Sequence, residues 1–397
     1  MSDEAPKPDG AVTVPGERFH EIRIEQVGQR GEGVGRNAEG DVFFVYGALP
    51  GDLVRVAAPP GKRYREARLV TVLEPSPDRV EPPCPYFDRC GGCDWLHWRY
   101  DAQLRGKENS VRRMLERAQL PVEALRPIVP ATTTLGYRSR IQVRREGVAT
   151  GFYERRTNAI VDVERCAVAL PELNEALAAL RREPVSPGRT KIEFYRRDDG
   201  SVGRAVNRPH AAMGFTQIHR EQNVLLRQTV AAQVQAARAR KVLELFCGDG
   251  NLTFAYLGAV ERVVAVDVSE PALEAARSER ARVEPEPPYR TTFLTSAIGP
   301  RTLGKTPPDF RRAYDTLVLD PPRVGIGTTL RAFLQPSLRS IIYVACSPTA
   351  FSVDVQQLRR DFRLVEIVPI DMFPQTHHVE LVARFERRAA PVDTSAP

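Results

Sequence analysis

The chain has 397 residues, 42% of them hydrophobic and 27% charged, which is enough for two or three domains, each with its own core. No apolar run approaches the roughly 18 residues of a membrane helix, so a spanning protein is excluded, and six cysteines are too few to staple a scaffold of this length with disulfides. A net charge of +7 is compatible with an anionic partner, and the expectation is a soluble, monomeric, cytoplasmic protein with no membrane partner.

In chain order, residues 1–16 and 388–397 are polar and proline-rich and read as loose tails. Residues 17–75 contain short alternating segments separated by glycine turns, the pattern of a small antiparallel β-barrel. The linker EPSPDRVEPPCP marks a boundary. Residues 76–208 hold a cysteine loop, an amphipathic helix (DAQLRGKENSVRRMLERAQ) and strands such as RSRIQVRR, IEFYRRD and VGRAVN, an α+β pattern. Residues 209–387 alternate helices with the apolar strands VLELF, VVAVDV, TLVLD, IIYVAC and LVEIVPI, closing with HVELVARFE. That alternation predicts a doubly wound α/β sheet. Residues 99–165 carry 14 Lys and Arg against 8 Asp and Glu, whereas residues 17–74 carry 9 of each, so the positive excess lies in the central region.

A nucleoside-cofactor site is predicted at residues 242–251, VLELFCGDGN. A buried strand leads into a glycine turn, where a ligand can approach the backbone closely. The next strand ends in Asp267, whose carboxylate can accept from ribose hydroxyls. A glycine turn alone is equally a structural feature. The full G-x-G-x-x-G pattern and a Walker lysine are both missing, which favours S-adenosylmethionine over NAD or ATP.

Two further residues stand out. Cys346, in YVACSPTAF, follows a predicted strand and precedes a helix, where amide donors can lower a thiol pKa. Glu380, in THHVE, starts the last strand. Taken alone, the first reads as a buried structural cysteine and the second as a surface acid. Cys247 reads as packing, and His377 and His378 as substrate-side or structural.

The segments GFTQIHREQN, LELFCGDGN, VAVDVS, LDPPRVG, YVACSPTAF and DMFPQTHHVE together resemble the catalytic domain of the RNA 5-methyluridine methyltransferases. The resemblance implies a Rossmann-like methyltransferase domain in which Gln217, Phe246, Asn251, Asp267 and Asp320 contact S-adenosylmethionine. It also implies that Cys346 adds to C6 of a flipped uracil and that Glu380 removes the C5 proton. Three positions depart from the common pattern: Asp267, where many members have Glu, and Ala345 and Ser347, which flank the thiol.

Cys84, Cys90 and Cys93 form C-x5-C-x2-C, and Cys166 follows much later. Four thiolates so arranged suit an iron–sulfur cluster or tetrahedral zinc. The resemblance implies the [4Fe–4S] cluster of the ribosomal-RNA members, in a structural or RNA-organising role. The first domain resembles the TRAM module, an OB-like RNA binder, through GEGVGR and VYGALPGD, with Lys62, Arg63, Arg65 and Arg68 placed for phosphates. The implied activity is methylation of uracil C5 in RNA, with 23S ribosomal RNA as the first substrate and a transfer-RNA uridine as the alternative. A reading of another class is a catalytically silent iron–sulfur RNA-binding or assembly factor.

Overall fold

The computed structural model describes residues 17–61, 63–185, 187–207, 217–286 and 290–389. Both expected tails, apart from residues 388 and 389, lie outside these residues, as do Lys62 and the first three residues of GFTQ. Strands β1 (Arg18–Val27), β2 (Gly33–Arg36), β3 (Val42–Val45), β4 (Leu53–Ala58) and β5 (Tyr64–Glu74) close into a barrel in the order β1-β2-β3-β5-β4. Alternation drives the closure: Ile22 and Ile24 turn inward to meet Phe43, Val45, Val54 and Val56, while Arg23 and Glu25 face outward. The barrel is not antiparallel throughout as expected, because β3 pairs with β5 in parallel. Strand β4 takes the place between β5 and β1, so β3 meets the strand after next, which runs in its own direction. Gly35 is required where β1 and β2 meet, since a Cβ there would stand 2.4 Å from the Arg23 carbonyl oxygen. Arg65 and Arg68 pair with Asp41 at 2.5 Å and Glu17 at 3.1 Å, so these two members of the basic run serve the barrel itself.

Helix α1 (Tyr100–Arg117) follows the cysteine loop. After it, β6 (Arg140–Glu146), β7 (Ala149–Tyr153), β8 (Ile160–Asp162), β9 (Arg189–Arg196) and β10 (Val202–Val206) form a sheet in the order β10-β9-β6-β7-β8. Helix α2 (Pro171–Arg182), with proline in its first turn, lays Leu173, Leu177 and Leu180 over Ile141, Val143, Ile192 and Phe194.

The third layer system is a seven-stranded sheet of β11 (Lys241–Leu245), β12 (Arg262–Asp267), β13 (Thr291–Thr295), β14 (Thr316–Leu319), β15 (Ser340–Ala345), β16 (Phe362–Ile370) and β17 (Glu380–Arg387). Their order is β13-β12-β11-β14-β15-β17-β16, with β17 antiparallel to both neighbours. Helices α3 (Arg220–Ala236), α4 (Thr253–Tyr256), α5 (Glu270–Val283), α6 (Thr302–Lys305) and α7 (Pro348–Asp354) accompany it, and separate apolar cores fill its two faces. The order reverses at β11, so a crevice opens at the carboxyl ends of β11, β12 and β14, where doubly wound sheets bind ligands. No helix among the described residues is long and apolar enough to cross a membrane.

Helix α1 does not belong to the central sheet. Its Val111, Met114 and Leu115 join Ala124 and Phe351 in one catalytic core, and Leu125 and Val129 bridge in parallel to Ile367 and Ile370 of β16. A buried ion pair ties this helix down: Lys107 Nζ lies 2.5 Å from Asp371 Oδ1 and 3.1 Å from the Phe373 carbonyl oxygen. The Tyr100 hydroxyl donates to Asp371 Oδ2 at 2.8 Å. Removing one member strands the other charge away from water. Lys107→Ala is therefore expected to destabilise the protein by about 3–5 kcal/mol, read as a lowered denaturation midpoint. The double variant Lys107→Met/Asp371→Leu should recover much of the loss. An unchanged midpoint in the single variant would show that the pair anchors nothing.

Candidate active site

At the end of β11 the chain turns through Phe246, Gly248 and Gly250, all with positive φ (65°, 54° and 84°). Gly250 is needed for packing, because a Cβ would stand 2.5 Å from the Phe254 ring. A Cβ on Gly248 would meet nothing within 4 Å, so this part of the turn faces open space that a ligand can fill. Asp267, ending β12, is aimed by two backbone donors: Gly248 N–H at 2.9 Å and Ser269 N–H at 2.8 Å. Its remaining lone pairs are available to hydroxyl donors. Asn251 forms a reciprocal amide pair with Asn223 of α3, 2.9 Å in each direction, which locks α3 to the turn. Gln217 is buried, and the adjacent Ile218 carbonyl accepts from the Ser139 N–H at 2.9 Å. Beneath the turn, burial pushes Glu244 up to about 7 while the Thr253 and Tyr256 hydroxyls donate to it. Cys247 is buried in the core, as packing requires.

Next to this crevice lies a second group of polar side chains, around Cys346. In the antiparallel pairing of β15 and β17, Ala345 stands opposite Leu381. One step outward, this register sets Cys346 beside Glu380, which is only 3% exposed. Asp320 lies just past β14, the strand next to β15, with its N–H on the Leu245 carbonyl at 3.4 Å. Burial pushes Asp320 up to about 7, and burial together with the Asp320 charge holds Glu380 well above the carboxylate range. The thiol does not follow the sequence expectation of a lowered pKa. Burial, then Glu380 and Asp320, push Cys346 up to about 11. Helix α7 gives little relief: it is one short helix of 7 residues, and Ser347 caps it by accepting from the Ala350 N–H at 3.3 Å.

The counter-charge is Arg323, a residue that the sequence reading did not single out. Its guanidinium acts on Cys346 and Glu380, favouring their charged forms, and together with burial and His377 it helps hold His378 down to about 3. The available signal was its place in the Pro-Pro-Arg turn after Asp320. Asp354 pins that turn by accepting from the Ile326 and Gly327 N–H groups at 2.8 Å and from the Tyr343 hydroxyl at 2.6 Å.

Cys84, Cys90, Cys93 and Cys166 all line one cavity of about 330 Å³. The loop is held to the central sheet by the Gly91 N–H on the Tyr153 carbonyl at 3.0 Å, and Cys166 by its N–H on Asn174 Oδ1 at 2.8 Å. Burial above all, and then the neighbouring thiols, raise the pKa of Cys90. Arg138 lines the same cavity, and its buried Nε finds no hydrogen-bond partner. All six cysteines are free, and among the described residues no three His, Cys, Asp or Glu side chains are set as ligands of a metal ion.

Comparison with known proteins gives this geometry a family. An RNA methyltransferase of Streptomyces avermitilis is 31% identical, over 93% of this chain and 98% of its own. One of Bdellovibrio bacteriovorus is 30% identical over 91% and 93%. The family model described as tRNA (Uracil-5-)-methyltransferase matches residues 202–284 and 309–388. The chain belongs to the RNA (uracil-5-)-methyltransferase family. The 23S rRNA (uracil(1939)-C(5))-methyltransferase RlmD of Alkalilimnicola ehrlichii is 28% identical over 95% of this chain and 98% of its own. In fold, the chain is similar to Pyrococcus abyssi tRNA (uracil-54, C5)-methyltransferase, solved with S-adenosyl-L-homocysteine. That match has a TM-score of 0.70 at 23% identity and covers 92% of this chain and all of that one. The segments matched by the uracil-5-methyltransferase model contain Gln217, Phe246, Asn251, Asp267, Asp320, Cys346 and Glu380, and leave out the barrel and the four clustered cysteines.

The electrostatics of the thiol pocket can be tested without RNA. With its pKa near 11, about one Cys346 in a thousand is thiolate at pH 8, so alkylation of this residue, followed by peptide mass spectrometry, should be slow and should go on rising steeply with pH beyond 8. At alkaline pH, where these carboxyls ionise, Glu380→Gln or Asp320→Asn should speed it at fixed pH, by removing negative charge. Equal rates in all three proteins would show that the carboxyls do not face the thiol.

Proposed function

We propose that the protein methylates C5 of a uracil in RNA, with 23S ribosomal RNA as its substrate. The observation that carries this reading is the β15–β17 register, which sets a thiol and a carboxyl side by side next to the β11–β12 crevice. C5 of uracil is a weak nucleophile, and a thiolate added at C6 turns it into an enolate carbon. Cys346 is the nucleophile, with Arg323 offsetting its charge as the extruded base enters. S-adenosylmethionine supplies the methyl group. Gln217, Phe246, Asn251 and Asp267 hold it in the crevice, and Asp320 reaches it from the border with the thiol pocket. Held near neutrality by burial, Asp320 can also donate to a base oxygen as negative charge develops there. Glu380, in its carboxylate form, then takes the C5 proton, the C5–C6 double bond re-forms, and the thiolate leaves.

For the cysteine cavity we propose a [4Fe–4S] cluster on Cys84, Cys90, Cys93 and Cys166. The four thiols line one cavity, and the unpartnered Arg138 Nε there suits an anionic cluster. Methyl transfer moves no electron through the protein, so the group's part is structural. The ribosomal assignment is supported by the similarity to the ribosomal-RNA enzyme along 95% of this chain. Transfer RNA is the second reading, favoured by the likeness in fold along 92% of it. Either substrate places the work in the cytoplasm.

Tritium transfer from labelled S-adenosylmethionine to 23S ribosomal RNA, but not to transfer RNA, is the expected result; the reverse preference would select the second reading, and no transfer to any RNA would leave a silent binding factor. Cys346→Ala should form no covalent RNA adduct and lose all measurable methylation. Glu380→Gln should accumulate an adduct stable to denaturant, with turnover down about 10²–10⁴-fold. The purified protein should contain iron and acid-labile sulfide in equal amounts; stoichiometric zinc instead would overturn the cluster assignment.

A further inference from the structure

The barrel, the cysteine loop and the catalytic domain meet at one point, three residues ahead of the start of Glu380's own strand. The barrel contributes Gly31, the cysteine loop Asp94 and the catalytic domain His377. A methyl on Gly31 would stand 3.2 Å from both Asp94 Cβ and His377 Cβ, and the Trp95 indole N–H donates to the Gly31 carbonyl at 2.9 Å.

At this junction the segment leading into β17 is held by the residues that follow Cys93 together with helix α1. The N–H groups of Asp94 and Trp95 both donate to the Gln375 carbonyl, at 3.0 and 3.1 Å. Gln375 has a φ of 67°, a conformation that persists in a non-glycine residue only where its surroundings impose it. Gln103 imposes it further, exchanging hydrogen bonds of 2.8 and 3.0 Å with the side chain and N–H of Gln375. Asp94 then grips the next residues: its Oδ2 accepts from His377 N–H at 3.3 Å and lies 2.6 Å from His377 Nδ1. A carboxylate only accepts, so Nδ1 carries the proton. On its other side, Asp94 Oδ1 pairs with Arg155 at 3.2 Å, and Arg155 donates to the Cys93 carbonyl at 2.6 Å.

We propose that Asp94 is a positioning residue for proton removal: by clamping His377 it fixes the segment 375–379 and thereby the carboxyl of Glu380 over the C5 proton of the bound uracil. This rests on the reading of Glu380 as the base. In that step the C5–H bond gives its proton to the Glu380 carboxylate, its electron pair forms the C5–C6 double bond, and the C6–S pair departs with Cys346 as thiolate. The earlier addition and methyl transfer depend on Cys346 and the crevice, which lie just past the ends of β15 and β11 and, among the described residues, share no hydrogen bond with this clamp. The cysteine loop, directly after Cys93, thus has a task inside the catalytic domain.

The test uses the full-length protein with its metal group in place and RNA carrying tritium at uracil C5. Asp94→Asn is expected to form the methylated covalent adduct but to release tritium about 10²-fold more slowly, as a misplacement of about 1 Å costs. Its iron content should be unchanged. His377→Leu, which is remote in sequence from the cysteines, should behave the same way. His377→Asn, which keeps an N–H near the position of Nδ1, should release tritium within a few-fold of the parent. If adduct formation and tritium release fall together, or iron is lost with them, Asp94 serves only the fold and the proposal is overturned. Normal tritium release by both Asp94→Asn and His377→Leu also overturns it. Failure of Glu380→Gln to trap an adduct would remove the base itself, an outcome distinct from a clamp that does not matter.

Discussion

The antiparallel insertion of β17 between β15 and β16 is the constraint on which the thiol pocket depends. Opposed residues in such a ladder stand about 4.5–5.5 Å apart at Cα, so the pairing of Ala345 with Leu381 decides what faces Cys346. A slip of one residue would turn Glu380 to the other face of the sheet. The register is protected against that slip by burial on both faces: Leu381, Val382, Ala383 and Phe385 are all essentially inaccessible. The methyltransferase core and the chemistry therefore share one determinant. The bulge between Leu364 and Glu366 on β16 adjusts the outer edge without disturbing the inner pair.

Burial at these strand ends also sets the protonation state of the site. Glu244, Asp320 and Glu380 are all pushed upward, and for each the largest cause is loss of water. A buried acid without a paired cation avoids most of the desolvation cost by remaining protonated. The resting site is thus nearly neutral, with Arg323 at its mouth. Any charge introduced there acts strongly on its neighbours. That arrangement also explains why the thiol is raised rather than activated at rest. Its neighbours are acids, and the one cation that acts on it is exposed to solvent.

Features local in sequence were legible and those made by distant contacts were not. The glycine turn, the acid ending β12 and the alternation of the barrel strands are written in neighbouring residues, and the fold reproduces them. β13 carries little strand signal in its sequence, being five residues of mostly threonine at the sheet edge. The apolar stripe of helix α1 says that it packs, but not on what, and its place in the chain alone points to the central region. The contacts that decide this, Tyr100 and Lys107 with Asp371, span more than 260 residues. Asn223 was within reach of a sequence reading, since it lies in the quoted GFTQIHREQN segment, but only the fold reveals its amide pair with Asn251. The cysteine spacing identified residues that do line one cavity.

The charge pattern carries a second lesson of this kind. The excess of Arg and Lys in residues 99–165 reads from sequence as a surface for RNA, yet much of it is spent on holding the parts together. Arg99 and Arg105 pair with Asp78 and Asp101 beside the linker, and Arg126 pairs with Glu366 of β16. Arg156 lies over the Tyr46 ring of the barrel at 3.8 Å and pairs with Glu66 at 3.2 Å. Buried apolar contacts among Val27, Leu49, Trp95, Trp98 and Ala102 seal the same interface. Exposed pairs of this kind add little stability individually, but they fix the orientation of barrel, cysteine loop and catalytic sheet. The three parts therefore present one preformed surface rather than one that has to be ordered when a partner binds.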